Sequence, residues 1–258
     1  MKAKKKFGQN FLIDTNIIEK IITAINSNES DLIIEIGPGR GALTKRLKEK
    51  LSNIIAYEVD TDLKEYLSNL EDDKTKIIYQ DFLTSNINVD ISNIQYNKLY
   101  IVGNLPYYIT TPIIEHIIKS NLKIEKLVIM VQKEVADRFL ALPKTKEYGY
   151  ITVLLQYYFN IKRICNVSKN SFNPIPKVES TVLEFNSKEQ KEDIKIDEYQ
   201  EFLKQIFKQK RKTLKNNIDK EKFEKIKPII EKYKFNENVR AEEISETILR
   251  EMYKKLID

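Results

Sequence analysis

Hydrophobic positions along the first part of the chain alternate between a helical and a strand register. Residues 14–26 carry Ile17, Ile18, Ile21, Ile22 and Ile25 at helical spacing, with Asp14 or Thr15 placed as the cap. Leu32-Ile33-Ile34-Glu35-Ile36 is a short β-branched run that stops at a glycine loop, which predicts a buried strand. Helical spacing resumes over 42–51, a second strand is predicted at 53–59, and Asp60 caps a helix running to about Leu70. Further strands are predicted at 76–80, 99–102 and 127–131, with a helix at 112–119. Helices at about 132–141 and 148–158 lead into strands near 161–167 and 178–186, close enough to form a terminal hairpin. Strands that are apolar throughout are covered on both faces. Their alternation with helices therefore predicts an α/β fold with a doubly wound, mostly parallel sheet.

The register changes near residue 187. Asn186 to Asp193 is polar and charged and reads as a linker. Beyond it the spacing is helical throughout, first at Tyr199, Phe202, Leu203, Ile206 and Phe207, then at Phe223, Ile226, Ile229 and Ile230, then at Ile244, Ile248, Leu249 and Met252. Two domains are predicted, 1–187 and a small all-helical 188–258, with no internal repeat.

Composition narrows the chemistry. At 41% hydrophobic residues the chain of 258 is ordinary for a globular protein. No apolar run approaches the roughly 20 residues of a membrane helix, and no apolar segment follows the N-terminal lysines as in a signal peptide. Cys165 and His116 are the only residues of their kinds, so an internal disulfide, a cysteine or histidine metal cluster and a Ser-His-Asp triad are excluded, and no metal is expected. A soluble protein of a reducing compartment, cytoplasmic and monomeric, is the expectation. The net charge of +6 is unevenly spread: Lys2, Lys4, Lys5 and Lys6 open the chain, and Lys208, Lys210, Arg211, Lys212 and Lys215 crowd a second segment. Such clusters fit an anionic partner, most simply nucleic acid, and equally the ordinary surface of a lysine-rich protein.

Four motifs carry candidate chemistry. Glu35-Ile36-Gly37-Pro38-Gly39-Arg40-Gly41 follows the first strand of the predicted sheet, where glycines let a backbone approach a ligand and turn into a helix. Gly37, Gly39 and Gly41 suit the loop that passes the amino acid and ribose of S-adenosyl-L-methionine in class I (Rossmann-like) methyltransferases. A dinucleotide site is the rival, although its GxGxxG spacing differs. Glu58, at the end of the second strand, is placed to accept from both ribose hydroxyls, which leaves Asp60 as a helix cap. Asp81, just past the third strand, is placed to accept from an adenine amino group, with Phe82 against the ring. Asn104-Leu105-Pro106-Tyr107 ends the fourth strand. An adenine amine is a poor nucleophile because its lone pair is delocalised. The Asn104 oxygen and Leu105 carbonyl could hold both its N–H groups and direct the lone pair at a sulfonium methyl, while Pro106 keeps the loop out of regular pairing and Tyr107 stacks on the base. No general base is needed, because attack makes the nitrogen cationic. Phe172 precedes a proline-rich loop and either flanks the target base opposite Tyr107 or anchors the loop in the core.

These motifs and their neighbours resemble the ribosomal RNA adenine dimethyltransferases, and within them the small-subunit branch. The resemblance rests on Lys6-Phe7-Gly8-Gln9-Asn10-Phe11-Leu12, Glu35–Gly39, Gly103–Tyr107, Val131-Gln132-Lys133-Glu134-Val135-Ala136, Tyr148-Gly149 and Phe172–Ser180. It implies cofactor contacts at Asn10, Leu12, Gly37, Glu58, Asp81 and Asn104, to which Gln9 of the same opening motif is added. It further implies two adjacent adenines in a hairpin near the 3′ end of 16S-type rRNA as substrate, two methyl groups on each N6, the small ribosomal subunit as partner, and a role in subunit maturation. DNA is not an expected partner, since DNA adenine enzymes carry Asp/Asn-Pro-Pro-Tyr here. Lys4, Lys5, Lys6, Lys133, Lys210, Arg211 and Lys212 are candidate RNA contacts. Two residues depart from the pattern: Tyr108 stands where asparagine is usual, and Glu179 where aspartate is usual. Tyr108 bears on how the monomethyl product is accommodated. The alternatives are a large-subunit enzyme of the macrolide-resistance type and an assembly factor whose RNA binding outweighs catalysis.

Overall fold

The computed structural model describes residues 4, 7–106, 109–189 and 194–257. Lys2, Lys5, Lys6, Tyr107 and Tyr108, singled out above, lie outside the described residues.

The chain opens with a two-residue strand, β1 (Phe11–Leu12), and the helix α1 (Thr15–Ile25). Asp14 caps α1 by accepting from the backbone N–H groups of Asn16 and Ile17, and the five isoleucines on its predicted face are all buried. Then follow β2 (Leu32–Ile36), α2 (Ala42–Lys48) and β3 (Asn53–Tyr57). The helix expected from Asp60 to Leu70 is broken into a 3-10 turn, the one-turn α3 (Lys64–Leu67) and a second 3-10 turn. After β4 (Thr75–Ile78) comes α4 (Ile87–Asp90), which periodicity does not reveal because one turn is too short to show a period. The alternation continues through β5 (Leu99–Asn104), α5 (Thr110–Lys119), β6 (Ile124–Gln132), α6 (Lys133–Phe139), α7 (Tyr150–Tyr158), β7 (Phe159–Val167), β8 (Phe172–Asn173) and β9 (Ser180–Ser187). Three longer helices close it: α8 (Ile196–Phe207), α9 (Lys220–Lys232) and α10 (Glu246–Ile257).

The main sheet has the order β4-β3-β2-β5-β6-β9-β7. It is parallel from β4 to β6, and β9 runs antiparallel to β6. β9 and β7 are neighbours at the far edge, as the predicted hairpin requires. The α/β class and mostly parallel sheet thus agree with the sequence. The chain leaves β2 for β3 and β4 on one side and returns to β5 and β6 on the other. The crevice at such a switch point is where open α/β sheets bind ligands. Gly103 lies level with Ile36 across β2 and β5, and a Cβ there would sit 2.7 Å from the Ile36 carbonyl oxygen. Apart from this sheet, β1 and β8 form an antiparallel ribbon that pairs Phe11 with Asn173 and Leu12 with Phe172. Its two residues per strand carry no periodic signal.

The chain divides into two compact units. The first runs to Ala136 and takes in Lys162–Ser187; the second comprises Asp137–Ile161 with Lys188–Asp258. Within the first, α1 packs its isoleucines with Ile33, Tyr100, Val128 and Phe172 in one apolar cluster. Within the second, Tyr148 donates its hydroxyl to the Ile244 carbonyl (3.0 Å) and the Tyr157 ring meets Tyr199 edge-on at 5.7 Å. Residues 137–161 therefore pack with the C-terminal helices, whereas the division read from the sequence lies at 187/188. Apolar periodicity marks a buried face without saying which partner buries it. No helix among the described residues is long and apolar enough to cross a membrane. No group of three or more His, Cys, Asp or Glu side chains among them is placed to hold a metal ion.

Candidate functional site

A cavity lies in the first unit, beyond the carboxyl ends of β2, β3 and β5. Its walls come from the glycine loop after β2, the ends of β3 and β4, the segment after β5, and an N-terminal strap from Phe7 to Phe11.

Gly37 and Gly39 line the cavity with positive φ angles of 70° and 59°. At Gly39 a side chain is doubly disfavoured, since a Cβ would also lie 3.0 Å from the Phe11 ring. Glu58 ties this loop to the end of β3. Its Oε2 accepts from the Gly39 N–H (3.0 Å) and its Oε1 from the Asp60 N–H (2.8 Å). Each carboxylate oxygen keeps further lone-pair capacity, so Glu58 is able to accept from a ligand as well. Burial raises its carboxyl above the usual range, and the backbone N–H groups of Asp60 and Gly39 partly oppose that. Behind it Glu35, fully buried, accepts from the Thr44 hydroxyl (2.7 Å) and is pushed up to about 7, chiefly by desolvation.

Asp81 and Phe82 form the next wall. Asp81 Oδ1 accepts from the Leu83 N–H (3.0 Å), which starts a 3-10 turn and fixes the carboxylate at the cavity edge. Phe82 is largely buried, edge-on to Tyr57 and His116 with ring centroids 5.2 and 5.3 Å apart. These two ring contacts hold Phe82 in the wall that it forms.

At the opposite side β5 ends in Asn104. Its Nδ2 donates to the Asn10 carbonyl of the strap (2.9 Å), and Leu105 N–H donates to the Met130 carbonyl (3.1 Å). Leaving β5 this way carries Asn104, Leu105 and Pro106 into the cavity lining.

Of the residues expected to contact the cofactor, Gln9, Asn10, Gly37, Gly39, Glu58, Asp81, Phe82 and Asn104 line this one cavity. Leu12 and Gly41 do not. Leu12 pairs with Phe172 and is buried in the core cluster, while a Cβ on Gly41 would lie 2.4 Å from the Leu70 side chain, so this glycine makes room for packing. Phe172 is 1% exposed and belongs to the same core cluster, which places it away from the cavity as the loop's anchor. The sequence reading missed the apolar wall of Val59, Leu63, Ile109 and Ile113. Val59 carried a signal, being an apolar residue set between Glu58 and Asp60, and it is 44% exposed.

The lining fits S-adenosyl-L-methionine. Two carboxylates, Glu58 and Asp81, face the interior beside a glycine backbone and an apolar wall, which suits a cationic ligand bearing a ribose and an adenine. No lysine or arginine occurs among the described lining residues, so the pyrophosphate of a dinucleotide would meet carboxylates and no counter-charge.

The candidate RNA-contacting cations behave differently. Lys4 pairs with Asp60 and Asp62 (2.6 Å each), Lys133 with Glu179 (3.3 Å), and Lys210 with Glu242 (3.6 Å) and the Lys146 carbonyl. Arg211 and Lys212 are exposed.

Comparison with known proteins agrees with this geometry. The chain is 44% identical to a ribosomal RNA small subunit methyltransferase A of Mycoplasmopsis pulmonis over 95% of both chains. It is 43% identical to the protein of that name from Francisella tularensis subsp. novicida over 84% of both. Among solved structures, a dimethyladenosine transferase from Plasmodium falciparum superposes with a TM-score of 0.77 at 24% identity, covering 95% of this chain and 98% of that one. The 23S rRNA methyltransferase ErmE superposes at 0.70 with 21% identity, covering 96% and 100%; at such identities both show the fold alone. The family profile for ribosomal RNA adenine dimethylase matches residues 1–258 in full, and the chain belongs to that family.

Proposed function

We propose that this protein transfers methyl groups from S-adenosyl-L-methionine to the N6 of two adjacent adenines in a hairpin near the 3′ end of small-subunit rRNA, giving N6,N6-dimethyladenine during subunit maturation. The observation that carries the reading is the convergence of Glu58, Asp81 and Asn104, which lie far apart in sequence, on one cavity at the switch point of the sheet. The high identity to small-subunit relatives supports this branch over the large-subunit one.

When bound, S-adenosyl-L-methionine supplies an electrophilic methyl group on a sulfonium centre. Glu58 accepts from the ribose hydroxyls, Asp81 accepts from the cofactor's adenine amine, and Gly37 and Gly39 let the backbone approach. Val59 and Leu63 supply apolar surface and help exclude water. Asn104 Oδ1 and the Leu105 carbonyl accept the two N–H groups of the target amine, which aims its lone pair at the methyl carbon. Tyr107 follows directly in sequence as the stacking ring, worth about 1–3 kcal/mol per base, comparable to the cost of unstacking the adenine. No side chain has to remove a proton before attack. The rate enhancement comes from alignment and exclusion of water.

The reading is tested by offering tritiated cofactor with immature small subunits, mature large subunits and DNA. Label is expected in small-subunit rRNA as N6,N6-dimethyladenine. Label confined to large subunits, or none in any substrate, would overturn it.

A further inference from the structure

Glu58 faces the cavity, but the next acidic residue does not. Asp60 is absent from the lining, and its side chain is 1% exposed and turned toward the strap. Its Oδ1 accepts from Lys4 Nζ (2.6 Å) and its Oδ2 from Gln9 Nε2 (2.7 Å). The other end of the Gln9 amide accepts from the Lys4 backbone N–H (2.8 Å). Capping of the turn that follows uses only the bond from Asp62 N–H to Oδ1 (3.2 Å), so two contacts remain that a cap does not explain.

The strap is fastened at two more points. Arg40 lies 4.5 Å above the Phe11 ring, whose edge rests against Gly39. One residue earlier, the Asn10 carbonyl accepts from Asn104 Nδ2 (2.9 Å). A primary amide has one donating and one accepting end. With Nδ2 bonded to Asn10, the oxygen of Asn104 is turned away from the strap. A single short segment thus connects the loop after β3, the glycine loop, and the acceptor after β5.

We propose that Asp60 is a positioning residue for methyl transfer: it latches the N-terminal strap along the cofactor cavity, and the latched strap, through the Asn10 carbonyl, holds the Asn104 amide with its oxygen toward the target amine. The proposal rests on the cofactor reading above. Phe7, Gly8, Gln9, Asn10 and Phe11 all line the cavity, so the strap forms one wall of the cofactor site. A weakened latch therefore acts twice. It speeds cofactor dissociation, and it slows the reaction even with cofactor saturating, because Asn104 loses its fixed orientation. A residue serving cofactor affinity alone would raise KM and leave kcat unchanged.

The test uses Asp60→Ala, Asp60→Asn, Gln9→Ala and Lys4→Met in the full chain. Three quantities are read: hydrogen exchange of the Phe7–Leu12 amides without cofactor, the dissociation rate of S-adenosylhomocysteine, and kcat at saturating cofactor. Loss of a charge-assisted hydrogen bond is expected to raise the exchange and dissociation rates about tenfold and to lower kcat by a similar factor. Asp60→Asn keeps a partner for Gln9 and is expected to fall between wild type and alanine. Should Asp60→Ala not fold, Lys4→Met and Gln9→Ala carry the same test, since neither touches the core. Wild-type exchange and kcat in these variants, with S-adenosylhomocysteine still bound, would sink the latch. Wild-type protein that fails to bind S-adenosylhomocysteine would instead sink the cofactor reading, leaving the exchange rates to judge the strap.

Discussion

The cavity of the first unit and the Lys208–Lys215 segment of the second are both rich in polar side chains, but they differ in what holds those side chains. In the cavity, Glu58 receives two backbone N–H groups, Asp81 one, and Asn104 donates to a backbone carbonyl, so their directions are set by main chain. In the basic segment, Lys210 already has Glu242 as partner, while Arg211 and Lys212 are exposed on flexible stems. The first arrangement is pre-organised for one ligand geometry; the second offers charge without fixed direction. Mutations in the first are therefore expected to be large and specific, and in the second small, additive and sensitive to salt.

The sharpest way to break this contrast is Asn104→Ala. It is expected to lower kcat by about 10²–10³ while RNA affinity stays near wild type, by analogy with removing one oriented polar group from an active site. An unchanged single-turnover rate would refute the acceptor role. Next comes Phe172→Ala, now placed in the core. It is expected to cost about 3–5 kcal/mol in stability, read by denaturant unfolding, whereas Phe172→Leu is expected to keep most of the activity. Loss of base stacking with full stability would restore Phe172 to the target-base site. Glu58→Gln is expected to weaken cofactor binding about ten- to a hundredfold by calorimetry, as fits the loss of a charged acceptor.

A smaller effect distinguishes the buried Glu35 from the exposed lysines by pH. Glu35 has a folded-state value of about 7 against an ordinary 4.5, so the native state binds the proton over that interval and the unfolded state does not. Stability from this group is complete below the lower value and is lost as pH rises through the upper one. Glu35→Gln is expected to flatten the fall in Tm between these values. An unchanged slope would show that Glu35 ionises normally. The smallest effect belongs to Arg211→Ala with Lys212→Ala. Each substitution is expected to reduce the salt slope of RNA binding by about 1 and to weaken binding alike for all sequences. Binding that does not change would make the segment an ordinary solvated face.

Legibility followed the same division. Strands such as Leu32–Ile36 and helices such as α1 were readable because burial of a whole strand, or of one helical face, writes a period into the sequence. The glycine loop, Glu58, Asp81 and Asn104 were readable because each sits at a strand end, where a local turn dictates residue type. That Leu12, Gly41 and Phe172 fall outside the cavity lining was not legible for one common reason: an apolar or small residue beside a motif looks the same whether it meets a ligand or a neighbouring chain segment. Val59 escaped in the opposite sense, since apolar residues are expected inside.

What the sequence by itself determined is the α/β architecture, the order of the motifs along it, and the reaction chemistry those motifs suit, because periodicity, turn residues and carboxylates at strand ends are local properties. Only the tertiary structure decided which residues share the cavity, that residues 137–161 pack with the C-terminal helices, and that Lys4 and Gln9 meet Asp60. Those are meetings between segments far apart in the chain. They depend on strand order and on the space left after packing, neither of which leaves a period in the sequence.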